Sequence, residues 1–171
     1  IIGFVVGSLA LSGGYMMWQN HQHKQTQFMS EKFVGAQDLI AQGKISEALG
    51  VMKDLAKSSH KSYSALATFY EAYLVRQTDY KAALGLYQDI VNQPSIDKEL
   101  KDLAQVLAIS LEVEHLPAEH QAEAIELALK KLEPLAAPAE PWKYLALELI
   151  GILAYKKNDF PKATDTFLQL A

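Results

Sequence analysis

The 171-residue sequence contains no cysteine, which excludes disulfides, thiolate metal sites, a cysteine nucleophile and a lipid-bearing N-terminal cysteine within it. Glycine and proline are sparse, nine and six, too few for a collagen-like or low-complexity chain. Arginine occurs once, at Arg76, and no basic stretch is denser than Lys130-Lys131 or Lys156-Lys157. Sixteen Lys+Arg against twenty Asp+Glu give a formal charge of -4. Nucleic-acid affinity comes largely from neutralising phosphates, so no nucleic-acid partner is expected.

Signatures of chemistry are absent as well. There is no Gly-x-x-x-x-Gly-Lys phosphate loop, no Gly-x-Ser-x-Gly elbow and no His-Glu-x-x-His helix. Of the five histidines, His21 and His23 are two apart, which on a helix turns them to different sides. His115 and His120 flank Pro117 in a loop and lack an evident carboxylate-assisted geometry. The pairs Glu112/Glu114 and Glu123/Glu126 read as hydrated helix faces, since nothing near them in sequence would perturb a carboxyl pKa. No catalytic, cofactor or metal site is expected.

What is present begins with a long apolar run. Residues 1–18 carry no charge, and as a helix at about 1.5 Å per residue they would cover about 27 Å, close to the hydrocarbon thickness of a bilayer. Tyr15 and Trp18 close the run with rings suited to the membrane boundary, and the polar neck 19–27 follows. The stretch reads as one transmembrane helix. A cleaved signal peptide, with small residues at Ala10-Leu11-Ser12, is a second reading, and a buried core helix a third.

From Phe28 to Ala171 apolar residues recur at three- and four-residue spacing, and the breakers fall between such segments. The pattern predicts helices near 28–42, 46–58, 62–76, 80–92, 97–114, 119–133, 141–157 and 160–171. Short connections pair them into about four hairpins. Ala48, Val51, Met52 and Leu55 form a stripe too narrow to be stable unless neighbouring helices cover it.

The hairpins repeat. Gln42-Gly43-Lys44-Ile45-Ser46-Glu47-Ala48-Leu49 parallels Gln77-Thr78-Asp79-Tyr80-Lys81-Ala82-Ala83-Leu84 and Lys157-Asn158-Asp159-Phe160-Pro161-Lys162-Ala163-Thr164. Each has a polar turn, an apolar residue three before an alanine, and another four after it (Met52, Tyr87, Phe167). Ala48 and Ala83 are 35 residues apart, as are Ala128 and Ala163, whereas Ala83 and Ala128 are 45 apart. The extra length falls around residues 112–121. A period near 34 with small residues in both helices is the tetratricopeptide signature. The last unit shows it best, with Gly151, Asp159 as cap, Phe160, Ala163 and Phe167. The first has Ala36, Leu39, Gly43 and Ala48; the second places Ala72 one position out of register, and the third is degenerate. An ordinary antiparallel bundle is the competing fold.

The order of parts, with Ser62-Tyr63-Ser64-Ala65-Leu66-Ala67 and the spacing from Trp142 to Asp159, resembles the YfgM-like ancillary subunits of the bacterial Sec translocon. The resemblance implies a single-pass inner-membrane protein, its repeat domain (28–171) in the periplasm and its C-terminal capping helix missing from this sequence. It further implies partners in the Sec translocon and a membrane-anchored periplasmic prolyl isomerase, with exported unfolded proteins as clients. The expected architecture is all-α: a tetratricopeptide-like solenoid of helical hairpins behind one transmembrane helix.

Function is then expected from surface, in a non-enzymatic protein-interaction module. The repeat pattern places Phe33, Gln37, Phe69, Tyr73, Arg76, Glu148, Ile152 and Tyr155 on the inner face formed by the first helix of each pair. Apolar and aromatic groups there suit an unfolded segment or a partner helix, although Phe33, Phe69 and Ile152 also read as core. An alternative is an adaptor or cochaperone gripping the acidic C-termini of chaperones. With Phe33 and Gln37 at the inner positions and a single arginine, a carboxylate clamp is poorly furnished. A secreted repeat protein after signal cleavage is the other alternative.

Overall fold

A computed structural model describes residues 26–115 and 121–170. Among the described residues there is no strand. The described residues form eight helices in turn: α1 (residues 26–41), α2 (Ile45–Ala56), α3 (Lys61–Val75), α4 (Tyr80–Asn92), α5 (Lys98–Glu114), α6 (Gln121–Leu132), α7 (Lys143–Lys156) and α8 (Phe160–Leu168), with a 3-10 turn at Glu133–Ala136. The chain divides into two compact units, 1–67 and 68–171, with the boundary inside α3.

The helix ends follow from local chemistry. Gly43, at φ +75°, and Asn158, at φ +63°, take the left-handed conformation that closes α1 and α7. Behind them the N–H groups of Lys44 and Asp159 reach back five residues, to the carbonyls of Leu39 and Ala154, each at 2.9 Å. These are Schellman closures, which satisfy carbonyls a helix end would otherwise orphan. The β-branched Thr78 at the matching turn tolerates positive φ poorly. There the Thr78 and Asp79 amides both donate to the Val75 carbonyl. Asp79 and Asp159 then cap the next helices, their carboxylates accepting from Ala82 N (2.9 Å) and Lys162 N (3.2 Å). Pro161 sits in the first turn of α8, where its missing N–H removes no helical bond.

In the first unit three residues of the expected stripe of α2 are buried, Ala48, Met52 and Leu55 at most 2% exposed, while the fourth, Val51, is half-buried. Ala36 of α1 and Ala65 and Ala67 of α3 are buried too. Phe33 meets Tyr63 edge-on with centroids 6.3 Å apart. The Ser64 hydroxyl donates to the Ala56 carbonyl, tying the end of α2 to α3.

In the second unit α4 packs extensively on α5, and α7 on α8. The main core gathers Val106, Ile109 and Val113 of α5, Ile125, Leu129 and Leu132 of α6, Leu135 of the 3-10 turn, and Ala146, Leu149, Ile150 and Leu153 of α7. α7 has neighbours on several sides, which is why seven of its residues are buried, from Ala146 to Ala154. The repeat alanines Ala83, Ala128 and Ala163 are all buried. The closest approach is at Gly151, where a Cβ would lie 2.6 Å from Cε1 of Phe167.

The third hairpin departs from the others. α5 and α6 touch more sparsely than α7 and α8 do, and Pro134 turns the chain into a 3-10 segment after Leu132, so the helix expected over 119–133 stops one residue short. α8 likewise ends at Leu168, before the expected 171. Lys98 of α5 holds both Asp102 (2.7 Å) and Glu140 (2.9 Å), and these contacts raise its ammonium pKa. Lys157 pairs with Glu126, and Trp142 Nε1 donates to the Glu99 carbonyl at 2.6 Å. Such exposed ion pairs add little stability singly. No helix among the described residues is long and apolar enough to cross a membrane. The expected transmembrane stretch 1–18, His21, His23, Pro117 and His120 lie outside the described residues.

Candidate functional site

The face presented by the first helices of the hairpins is built from a division of labour within each helix. On α5, Ala104, Val106, Ala108, Ile109, Leu111 and Val113 are buried, which leaves Leu107 half-buried and Ser110 exposed on another side. On α7, Leu145, Glu148, Leu149 and Ile152 fall at i, i+3, i+4 and i+7 and so share one side. These two edges meet. Val106, Leu107 and Ser110 with Leu145, Glu148, Leu149 and Ile152 line a cavity of about 190 Å³. Its walls are apolar except for the Ser110 hydroxyl and the Glu148 carboxylate.

A second cavity, of about 260 Å³, lies where α3 and α5 end, lined by Arg76, Gln77, Leu111, Glu114 and His115. His115 is not free to turn there. Its ring stacks on Tyr80, with centroids 4.1 Å apart and planes within 8°, and its Nδ1 lies 3.0 Å from the Leu111 carbonyl. Arg76 lies over the Tyr73 ring at 4.9 Å from its centroid, a cation–π contact. Tyr87 is buried; burial raises its phenol pKa, and the Arg76 charge opposes the rise.

The eight residues singled out from the sequence do not form one pocket. Phe33 and Gln37 are half-buried in the first unit. Phe69 is half-buried against Tyr87, centroids 6.1 Å apart. Tyr73 and Tyr155 are more than half exposed, and Ile152 is 38% exposed. Glu148 and Ile152 share the α5–α7 cavity, Arg76 joins the α3–α5 cavity, and Tyr155 lies edge-on to Phe160 of α8 at 5.6 Å. Sequence reasoning missed Leu107 and Ser110, the α5 side of the first cavity. The 45-residue step between Ala83 and Ala128 breaks the repeat arithmetic in that unit.

Among the described residues no group of three or more His, Asp or Glu is placed to hold a metal ion. The arrangement offers shape and a few polar groups: two cavities on first helices, with Tyr73 and Tyr155 exposed elsewhere on α3 and α7. Comparison with curated proteins and with solved structures gave no match. The profile of the tetratricopeptide repeat-like domain matches residues 1–169, and with helical hairpins, alanines buried at the repeat positions and Schellman turns between helices, the chain belongs to the tetratricopeptide repeat-like domain family.

Proposed function

We propose that this chain is a membrane-anchored, non-enzymatic interaction module that receives other proteins on the first-helix face of its repeats. Domains of this family generally act as interaction modules without catalysis, and one observation supports the reading most. Tyr73 on the first helix α3, and Ile152 and Tyr155 on the first helix α7 that also carries the exposed Glu148, present aromatic and aliphatic surface, where a folded monomer gains nothing from leaving them wet. Amphipathic tyrosines there suit repeated, reversible contacts.

In the finer form of the proposal, residues 1–18 anchor the chain in the bacterial inner membrane. The repeat domain lies in the periplasm as an ancillary part of the Sec translocon, beside a membrane-anchored prolyl isomerase, and meets exported unfolded chains. The apolar run 1–18 and the polar neck support the anchor. Protease treatment of sealed inner-membrane vesicles tests sidedness: the repeat domain should be protected in inside-out vesicles and digested in right-side-out ones. A photo-crosslinking residue at position 73 or 155 in living cells should capture translocon or periplasmic proteins. Capture of soluble cytosolic chaperones alone would contradict the proposal.

A further inference from the structure

The α5–α7 cavity carries a charge mismatch that selects its occupant. Its walls are Val106, Leu107, Leu145, Leu149 and Ile152, a lining suited to one aliphatic or aromatic side chain. Glu148 stands in that lining, exposed, and among the described residues it makes no ion pair. Lys143, one turn before it, lies over the Tyr144 ring, Lys157, just beyond the helix, is on Glu126, and Lys156, the other cation of α7, lies two turns further along the helix. An apolar side chain entering the cavity would strip water from the carboxylate, and a desolvated charge is tolerated only when the incoming group pairs with it. A purely apolar segment is therefore penalised, and an acidic one repelled.

We infer that the α5–α7 groove takes a segment of another protein that carries a bulky aliphatic side chain for the cavity and a neighbouring lysine or arginine for Glu148. The inference rests on the first-helix face being the binding surface and adds the chemistry of what binds. It is the opposite polarity to a clamp for carboxylate termini. Rejection of acidic segments follows from the same unpaired charge. Because Glu148 is exposed, the preference weakens as salt rises.

The test uses two fluorescent peptides of equal length, one alternating leucine pairs with lysine and the other the same leucines with glutamate, titrated with the protein and read by anisotropy. The leucine–lysine peptide should bind more tightly by about fivefold or more. Glu148→Lys should invert the order of the two peptides. Ser110→Trp, at an exposed position on the cavity wall, should weaken both. Circular dichroism of the variants checks that they fold. A lysine preference that survives Glu148→Lys, or equal binding of both peptides, overturns the inference; if Ser110→Trp still weakens both, the first-helix face stands as the binding surface. No binding of either peptide also overturns the inference. The wider reading fails separately, when crosslinkers at Tyr73 and Tyr155 capture no protein.

Discussion

Gly151 is the position at which the hairpin packing is most exposed to a single methyl group. Alanine in a helix interior is favoured over glycine by about 1 kcal/mol, so Gly151→Ala would stabilise α7 if space allowed. It does not: the new Cβ would lie 2.6, 2.8 and 3.0 Å from Cε1, Cζ and Cδ1 of Phe167. Carbon atoms pack best at about 3.5–4.0 Å, so the ring must retreat by about 1 Å. The ring is the far end of a side chain that is 40% exposed, and it can swing outward. A phenylalanine buries roughly 150–250 Å² when fully covered, so the covered part here is on the order of 100 Å². Giving up half of that at about 25 cal/mol per Å² forfeits about 1.3 kcal/mol. An off-rotamer torsion adds about 1 kcal/mol. Against the propensity gain, Gly151→Ala should destabilise by about 1–2 kcal/mol. In a Phe167→Ala background the obstacle is gone, and the same substitution should stabilise by about 1 kcal/mol. Urea unfolding followed by helical circular dichroism, run as a double-mutant cycle, gives a coupling of about 2–3 kcal/mol if the reasoning is right. A stabilising Gly151→Ala in both backgrounds, with coupling below about 0.5 kcal/mol, would refute the close approach of α7 and α8.

Three further outcomes follow from local features of the helices. Asp79→Ala and Asp159→Ala each remove a carboxylate that accepts from the first turn of α4 or α8, and each should lower unfolding free energy by about 1 kcal/mol, with Asp→Asn retaining most of it. Gly43→Ala meets no atom within 4 Å yet sits at φ +75°, so its cost should be purely conformational, about 1–2 kcal/mol, whereas Asn158→Gly at φ +63° should be neutral or stabilising in the same urea titrations. Burial raises the Tyr87 phenol pKa above its ordinary value. The unfolded chain therefore ionises first, and stability present below about pH 10 declines as pH rises from there through the raised folded value. Tyr87→Phe should flatten that alkaline decline in urea midpoints measured against pH, and an unchanged slope would count against a buried phenol.

How far the sequence foretold these features depended on how local their causes are. The alanines at 48, 83, 128 and 163 need only a period and a small side chain, and each is buried. Asp159 as a cap was legible for the same reason, since a cap depends on its nearest three residues. The third hairpin was not legible. Its long connection shifts the register, and Pro134 converts the end of α6 into a 3-10 turn that carries Leu135 into the core. With the register lost, the α5 side of the cavity could not be mapped, so Leu107 and Ser110 escaped notice while Glu148 and Ile152, in the well-matched last unit, did not. Which apolar residues are core and which are surface was also beyond a one-dimensional pattern. Phe69 and Tyr73 lie on one helix four residues apart, yet the first packs on Tyr87 and the second is 53% exposed. Only the position of the neighbouring helix separates them.

The account turns on which face of the hairpins meets other proteins. Photo-crosslinkers placed singly at Tyr155, on a first helix and 62% exposed, and at Leu127, on the second helix α6 and 56% exposed, compare the two faces at matched accessibility in the same cells. Adducts concentrated at position 155 are the predicted result. Equal yields from both positions, or adducts from position 127 alone, would contradict it.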